Sequence, residues 1–529
     1  MNSKLIRPFD SLSYESLFDR LFVPERASRV AVLFEHAEIT YQELLDRTVR
    51  AAEALNASGI NPGDRVALLL NDSPEFVTSF VAIISLGAIA VPINLALRRQ
   101  DQLFILKDCG ACAAVVEAKA AENLFQSRDN QTDVTNLFVV SRDDGPVAPY
   151  SASGLSVQDF AVAQRSPLSD EFPARADGDA FILYTSGSTG EPKGAVHRQP
   201  DIFYTNETFC REVLGLREGD RIFSSSRLPF AYGLGNSFTF PLLNGFTTIL
   251  CREKPAPDVV NRIFREYRPT IFFGVPVVYS MLLDHQRRSG HALETSSLRL
   301  CVSAGEALAA QLGEEWQNTF GVEVLDGIGS TEMLHMFMSN HEGDVRYGSS
   351  GKLLRGYEAR LVDHEGTATR TGEAGNLWIR GDSAADRYWQ RPETSAETFV
   401  DGWVRTGDLY RADADGFWWH MGRSDDCFKP TGQWVSPIEV ESVLLRHEAV
   451  RAAAVVEGFD EHGLSCVCAF VVGAGEATEE SLRALCESSL PRFKQPRRYL
   501  FVSDLPYTAT GKVQRFKLRE QLRGSEFNL

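Results

Sequence analysis

Ala180-Phe-Ile-Leu183 is an apolar strand pattern that runs straight into Tyr184-Thr-Ser-Gly-Ser-Thr-Gly-Glu-Pro-Lys-Gly194. A buried strand ending in a glycine-rich turn needs a sheet to sit in and a layer to cover it. Gly187, Gly190 and Gly194 let the backbone turn tightly and bring its N–H groups close to an anion. Thr185, Ser186, Ser188 and Thr189 add hydroxyl donors, and Lys193 supplies a mobile positive charge suited to phosphate oxygens. The string is not a Walker A loop, because no Gly-Lys-Ser/Thr follows its first glycine at the required spacing. A bland Ser/Gly surface turn is the competing account of a short match. A full string from Tyr184 to Gly194, placed directly after a strand, argues against it.

Around this junction helical and strand patterns alternate, as in layered α/β folds. Ile39-Thr-Tyr-Gln-Glu-Leu-Leu opens a helix that continues through Val49, Ala52 and Leu55, and Asp64 to Leu70 is a short buried strand. The run Phe76 to Leu95 reads as a buried helix followed by a strand. Further strands are expected at Ala114–Val116, Leu137–Val140, Ala180–Tyr184, Thr248–Cys251, Thr270–Phe273 and Leu298–Val302. Helices are expected at Pro257–Tyr267 and Pro276–His285, and a polar loop between Asp143 and Gln164. From Gly343 the texture changes to short strands and glycine-rich turns, a small β-rich subdomain. After Arg423-Ser-Asp-Asp426 comes a segment of about 100 residues, the size of a domain. It carries helices at Pro437–Leu445 and Thr478–Leu490 and strands at Val450–Glu457 and Val467–Val472. At 529 residues the chain is too long for one core. The expected class is therefore α/β: residues 1–424 form a large domain of layered α/β subdomains plus the β-rich subdomain, and residues 425–529 a small α+β domain.

A formal net charge of −17 disfavours nucleic acid as the main partner, while one lysine or helix end can still hold a nucleotide. No apolar run reaches the roughly 20 residues of a membrane span. Met1-Asn-Ser-Lys-Leu-Ile-Arg-Pro lacks the apolar core of a signal peptide, so a cytoplasmic enzyme without membrane partners is expected. Cys109-Gly-Ala-Cys112 has zinc spacing but no second pair completes it. Cys466 and Cys468 alternate within a strand-like run, which favours core packing.

The string Tyr184 to Gly194 resembles the phosphate loop of the adenylate-forming superfamily of acyl-CoA synthetases, peptide-synthetase adenylation domains and luciferases. The likeness extends along most of the chain. Asp326-Gly-Ile-Gly-Ser-Thr-Glu-Met333 resembles that family's adenine and magnesium motif, and Trp403-Val-Arg-Thr-Gly-Asp408 its ribose motif. Gly422-Arg-Ser-Asp-Asp426 resembles its hinge, and Thr510-Gly-Lys512 its C-terminal catalytic lysine motif.

The resemblance implies two steps using ATP, Mg²⁺ and coenzyme A. A carboxylate attacks the α-phosphorus of ATP, and a thiol then attacks the acyl carbon and expels AMP. The first step brings two anions together, so neutralising charge is the dominant need. By resemblance Glu332 holds the metal, Thr331 binds phosphate, and Lys512 reaches the carboxylate and α-phosphate oxygens. Asp408 and Arg423 match ribose contacts. Gly305, Glu306 and Ala307, with Asp326, Gly327 and Ile328, match the segments enclosing adenine. The family rotates its small, mobile domain about a hinge aspartate, here Asp425, so that the lysine leaves before the thiol arrives. Lys429 and Gly432 match the pantetheine tunnel that then forms.

Arg227-Leu-Pro-Phe-Ala-Tyr-Gly-Leu-Gly-Asn236 and Gly329-Ser-Thr-Glu-Met-Leu-His335 resemble the benzoate–CoA ligase branch. By the same resemblance Ala231, Tyr232, Gly329 and His335 line the acyl pocket, whose small and planar groups suit an arene. The chain departs from that branch at Ser225-Ser226-Arg227, at Pro229 and at His197-Arg-Gln-Pro-Asp201. Benzoate, an ortho-amino or hydroxy benzoate such as anthranilate, and a larger aryl carboxylate all stay open as the acid. A stand-alone adenylation enzyme that loads an aryl acid onto a carrier protein would share every nucleotide motif.

Overall fold

A computed structural model describes residues 16–125, 132–141, 155–163, 174–175, 177–186, 191–289, 292–363, 365–428, 430, 435–460, 463–473, 477–507 and 513–526. The chain divides into two compact units that interleave in sequence. The first is Met1–Tyr347, Gly351–Glu358 and Arg380–Val404, and the second Gly348–Ser350, Ala359–Ile379 and Arg405–Leu529.

Two sheets build the first unit. One has the order Arg387–Tyr388, Pro192–His197, Phe181–Ser186, Ile89–Pro92, Arg65–Leu69, Ala113–Glu117, Asn136–Val140, Ser156–Asp159. From Phe181–Ser186 onward neighbouring strands are parallel, and the Phe181–Ser186/Pro192–His197 pair is an antiparallel hairpin. The other sheet runs Lys352–Leu353, Met336–Ser339, Val324–Gly329, Leu300–Ser303, Ile271–Gly274, Arg221–Ser224, Thr247–Ile249, Val30–Phe34, Ala37–Thr40. It is parallel from Val324–Gly329 to Val30–Phe34.

The helix Pro74–Ser85 explains the long apolar run. It is buried on nearly every side, and shares one core with Val66 and Phe181 of the first sheet and Val32 of the second. Phe80 packs 5.4 Å from Phe181 and 5.5 Å from Phe238. A helix placed between two sheets has no solvent face, so it needs no polar stripe. The helix Tyr41–Ala57 starts later than expected, because Ile39 belongs to the strand Ala37–Thr40. Thr40 and Glu43 form a reciprocal capping box that sets the start at Tyr41. Ser156–Asp159 lies within the expected polar loop yet pairs with Asn136–Val140 as an edge strand. Its residues are exposed or half-buried, so no apolar run announces it.

In the second unit Glu358–Val362, Ala374–Arg380, Trp403–Ala412 and Trp418–Arg423 share one sheet, the last two antiparallel. A three-stranded sheet follows, Val450–Phe459, Ser465–Gly473 and Arg498–Phe501. Strand alternation sends Val455, Val467, Ala469 and Val471 to one face, against the helices Pro437–Leu444 and Glu479–Ser489. Ala454, Val456, Cys466, Cys468 and Phe470 line the other face, under Leu518 and Leu522 of the helix Arg515–Glu526. Cys466 and Cys468 are thus core residues. Among the described residues no helix is long and apolar enough to cross a membrane.

Candidate functional site

In the first unit the candidate residues collect at the carboxyl ends of parallel strands, where open α/β sheets place ligands. Thr185 and Ser186 end the strand Phe181–Ser186, with Thr185 opposite Lys193 and Ser186 opposite Pro192 on the return strand. Gly187, Ser188, Thr189 and Gly190, between these strands, lie outside the described residues. The hairpin base is pinned by the Tyr184 hydroxyl, which donates to Asp108 Oδ2 at 2.6 Å, and by Trp389 N–H, which donates to the Gly194 carbonyl at 2.7 Å. Lys193 Nζ lies 5.8 Å from the centre of the Tyr388 ring, within cation–π range.

Gly305, Glu306 and Ala307 follow the strand Leu300–Ser303; the first two are exposed and Ala307 is half-buried. On the adjacent strand Val324–Gly329, Asp326 pairs in register with Ser303. Asp326 is buried, and its Oδ2 accepts from Leu308 N–H at 3.3 Å. Burial pushes its carboxyl up to about 8, against hydrogen bonds from Ser303, Leu308 and Gly327. A carboxyl held neutral can donate as well as accept. Gly327 is buried and Ile328 half-buried on the same strand.

The turn after that strand carries Thr331 and Glu332, both half-buried. Thr331 O accepts from His197 Nε2 at 2.8 Å, and Glu332 Oε1 accepts from the Tyr388 hydroxyl at 2.7 Å. Among the described residues no three His, Cys, Asp or Glu side chains gather as a metal cage. A Mg²⁺ bound through Glu332 would therefore complete its shell with nucleotide oxygens and water, the habit of that ion.

His335 ends the turn, buried among Phe240 (4.6 Å between ring centres), Phe209 (4.8 Å) and Tyr232 (5.5 Å). Burial lowers its imidazole to about 3, so the ring is neutral, and its Nε2 lies 3.0 Å from Asn236 Oδ1. A Cβ on Gly329 would sit 2.4 Å from the His335 carbonyl oxygen, so this close turn requires glycine there. Ala231 is buried, and the Tyr232 hydroxyl faces the carbonyls of Val302 (3.3 Å) and Gly274 (3.4 Å). Burial raises the Tyr232 phenol well above its ordinary value, so it stays protonated.

In the second unit Asp408 and Arg423 face each other across the Trp403–Ala412/Trp418–Arg423 pair, with Arg423 Nη1 3.2 Å from Asp408 Oδ1. Burial pushes the Asp408 carboxyl up, but His420, Arg423 and Thr406 outweigh it and hold it below the ordinary carboxylate range. Asp425 is exposed in the turn that follows, whereas Asp426 is paired with Arg519 (2.9 Å) and Arg515 (3.7 Å). Lys429, Gly432 and Lys512 lie outside the described residues.

Three participants were not recognised as such from the sequence. His197 and Arg227 stood out only as departures from a pattern, and Tyr388 gave no signal. Arg227 donates to the carbonyls of Cys251, Arg252 and Glu253, and its Nη1 sits 3.5 Å from buried Asp72 Oδ2. Asp72 Oδ1 in turn accepts from Leu228 N–H at 3.0 Å, which fixes the start of the segment leading to Ala231 and Tyr232.

The model of the AMP-binding enzyme family matches residues 22–389, and that of the AMP-binding enzyme C-terminal domain matches residues 439–512. A benzoate–CoA ligase of Thauera aromatica is 42% identical, over 96% of this chain and 95% of its own. The crystal structure of the anthranilate CoA ligase AuaEII in complex with anthranoyl-AMP superposes with a TM-score of 0.89 at 38% identity, covering 96% of this chain and 98% of that one. A benzoate CoA ligase from Burkholderia xenovorans LB400 gives 0.85 at 38% identity, over 96% and 100%. With both family models matched in order and relatives alike over nearly their whole length, this chain belongs to the adenylate-forming AMP-binding enzyme family.

Proposed function

We propose that this chain is an ATP-dependent aryl-carboxylate–CoA ligase acting on benzoate or a substituted benzoate such as 2-aminobenzoate. A carboxylate oxygen attacks the α-phosphorus, the bond to pyrophosphate breaks, and an aryl-adenylate forms. The CoA sulfur then attacks the acyl carbon, the bond to AMP breaks, and the thiol proton leaves. Mg²⁺ supplies charge neutralisation at the phosphates.

The observation that carries this assignment is the convergence, within one unit, of the phosphate hairpin, the Thr331–Glu332 turn and the aromatic group around His335. The hairpin and Glu332 hold MgATP, Asp326 and the Gly305–Ala307 segment take adenine, and Asp408 with Arg423 takes ribose. Ala231, Tyr232, Gly329 and His335 receive the arene, where a neutral imidazole and a protonated phenol add no charge beside an apolar ring. Lys512 neutralises the carboxylate and α-phosphate, and residues 425–529 pivot at Asp425 before Lys429 and Gly432 admit the thiol. An exposed Asp425 beside a doubly paired Asp426 suits a pivot. The enzyme works in the cytoplasm on free CoA. Incubating the protein with ATP, Mg²⁺, an aryl acid and free CoA should yield the aryl-CoA thioester. Adenylate formation with transfer only to a carrier protein would replace this acceptor.

A further inference from the structure

His197 closes the return strand of the phosphate hairpin and is fully buried. Its ring stacks on Phe181, its partner in register, at 5.3 Å and 18°. Nε2 lies 2.8 Å from the Thr331 carbonyl, and Nδ1 lies 3.0 Å from Oδ2 of buried Asp201. A carbonyl oxygen only accepts, so Nε2 carries the proton in that bond. Asp201 is itself tied back by Arg198 N–H at 3.1 Å, which leaves the ring little freedom to turn.

The turn on which His197 acts is held at three successive carbonyls. Thr331 O takes His197, Glu332 O takes Ala385 N–H at 2.7 Å, and Met333 O takes the Ser383 hydroxyl at 2.9 Å. The Tyr388 hydroxyl then aims the Glu332 carboxylate. Of these anchors only His197 comes from the phosphate hairpin, four residues after Lys193.

We propose that His197 is a positioning residue for adenylation: its imidazole fixes the Thr331–Glu332 turn against the phosphate hairpin, so that both grip one MgATP in register. A buried histidine that served packing alone would need the Phe181 stack but no donor to a carbonyl 134 residues away. Displacements near 1 Å between groups that share a transition state cost about 10²-fold in rate. The role rests on the assignment of Glu332 and the hairpin to MgATP, and it predicts a defect confined to that ligand.

The test compares His197→Phe, which keeps the stack and loses both the donor to Thr331 O and the contact with Asp201, with His197→Gln, whose amide can still donate to Thr331 O. In His197→Phe the KM for MgATP should rise at least tenfold, and ATP–pyrophosphate exchange should slow about 10- to 100-fold, the usual cost of leaving one buried acceptor unpaired. The KM for the aryl acid, and thiolysis of a supplied aryl-adenylate, should stay within about twofold. His197→Gln should recover most of the loss, with both variants melting close to the parent. Unchanged KM for MgATP in His197→Phe would overturn the proposal. So would equal loss in both variants across all steps with a lowered melting temperature, which marks a packing residue. Equilibrium dialysis of MgATP, which needs no acid, separates the two assignments. A parent protein that binds MgATP but activates no aryl acid would refute the function, while weaker binding in His197→Phe would still uphold the positioning role.

Discussion

Asp326 and Asp408 are both buried aspartates placed on the nucleotide by sequence, yet their surroundings are opposite. Around Asp326 the opposing groups are hydrogen bonds from Ser303, Leu308 and Gly327, and none is a cation. Desolvation wins there and the carboxyl is pushed up to about 8. Around Asp408, Arg423 and His420 overcome the same desolvation. The contrast extends outward. His335 is neutral among aromatic rings in the first region. In the second, Asp426 is shared by Arg515 and Arg519, and Arg515 also grips Glu441 at 2.8 Å. One region presents neutral polar groups and ring faces, suited to an uncharged base and an arene. The other holds Asp408 ionised and pairs Asp426 and Glu441 with arginines, suited to accepting hydrogen bonds from hydroxyls.

The largest effect should fall at Lys512, the proposed catalytic lysine. Lys512→Ala should slow aryl-adenylate formation about 10²- to 10³-fold, the usual cost of removing a group that meets developing charge. Thioester formation from a supplied adenylate should change little. Single-turnover assays of the two half-reactions check this, and equal loss of both would show that Lys512 is not confined to adenylation.

Asp408→Asn comes next, with the KM for ATP raised about tenfold by loss of a charged acceptor. The same substitution at Asp326 should cost less, because an amide reproduces a neutral carboxyl. Steady-state titration of ATP in both variants decides whether the contrast holds; a larger penalty at Asp326 would break it.

Stability should separate the two aspartates by sign. The Asp326 carboxyl stands at about 8 in the fold and at roughly 3.9 in the unfolded chain. As pH rises from about 4 to 8 the unfolded chain ionises first, so Asp326 draws stability down across that window. Asp326→Asn should therefore raise the melting temperature by roughly 2–4 °C at pH 8 and far less at pH 5. Asp408 is held below its unfolded value, so its contribution is present above about pH 4 and is lost as pH falls through the folded value. Asp408→Asn should lower the melting temperature at neutral pH. Thermal scans across pH 4 to 8 read both.

The smallest effect should be Tyr232→Phe. Its hydroxyl faces two carbonyls at 3.3 and 3.4 Å, long for such bonds, so the ring face is expected to matter more than the hydroxyl. Exchange with an aryl acid should fall less than about threefold, and a larger loss would move this phenol into the polar recognition of the acid.

Much of this organisation was legible along the chain. Strands such as Arg65–Leu69 and Ala113–Glu117, and the helix Pro257–Tyr267, follow from apolar runs and local spacing. The Phe181–Ser186 strand was visible because its apolar run leads straight into the hydroxyl-rich string. What stayed hidden joins distant segments. The His197–Thr331 bond spans 134 positions, Tyr388–Glu332 spans 56, and Leu228–Asp72 spans 156. Nothing local marks a histidine whose partner is a backbone carbonyl. The interleaving of the second unit through Ala359–Ile379 was hidden for the same reason, since pairing between strands far apart in sequence leaves no periodic trace.

The central claim, adenylation of an aryl acid, is tested most directly by ATP–pyrophosphate exchange across a panel of aryl and alkyl carboxylic acids. Benzoate or a substituted benzoate should give the fastest Mg²⁺-dependent exchange. An unbranched long-chain acid that exchanges faster than every aryl acid would contradict the account.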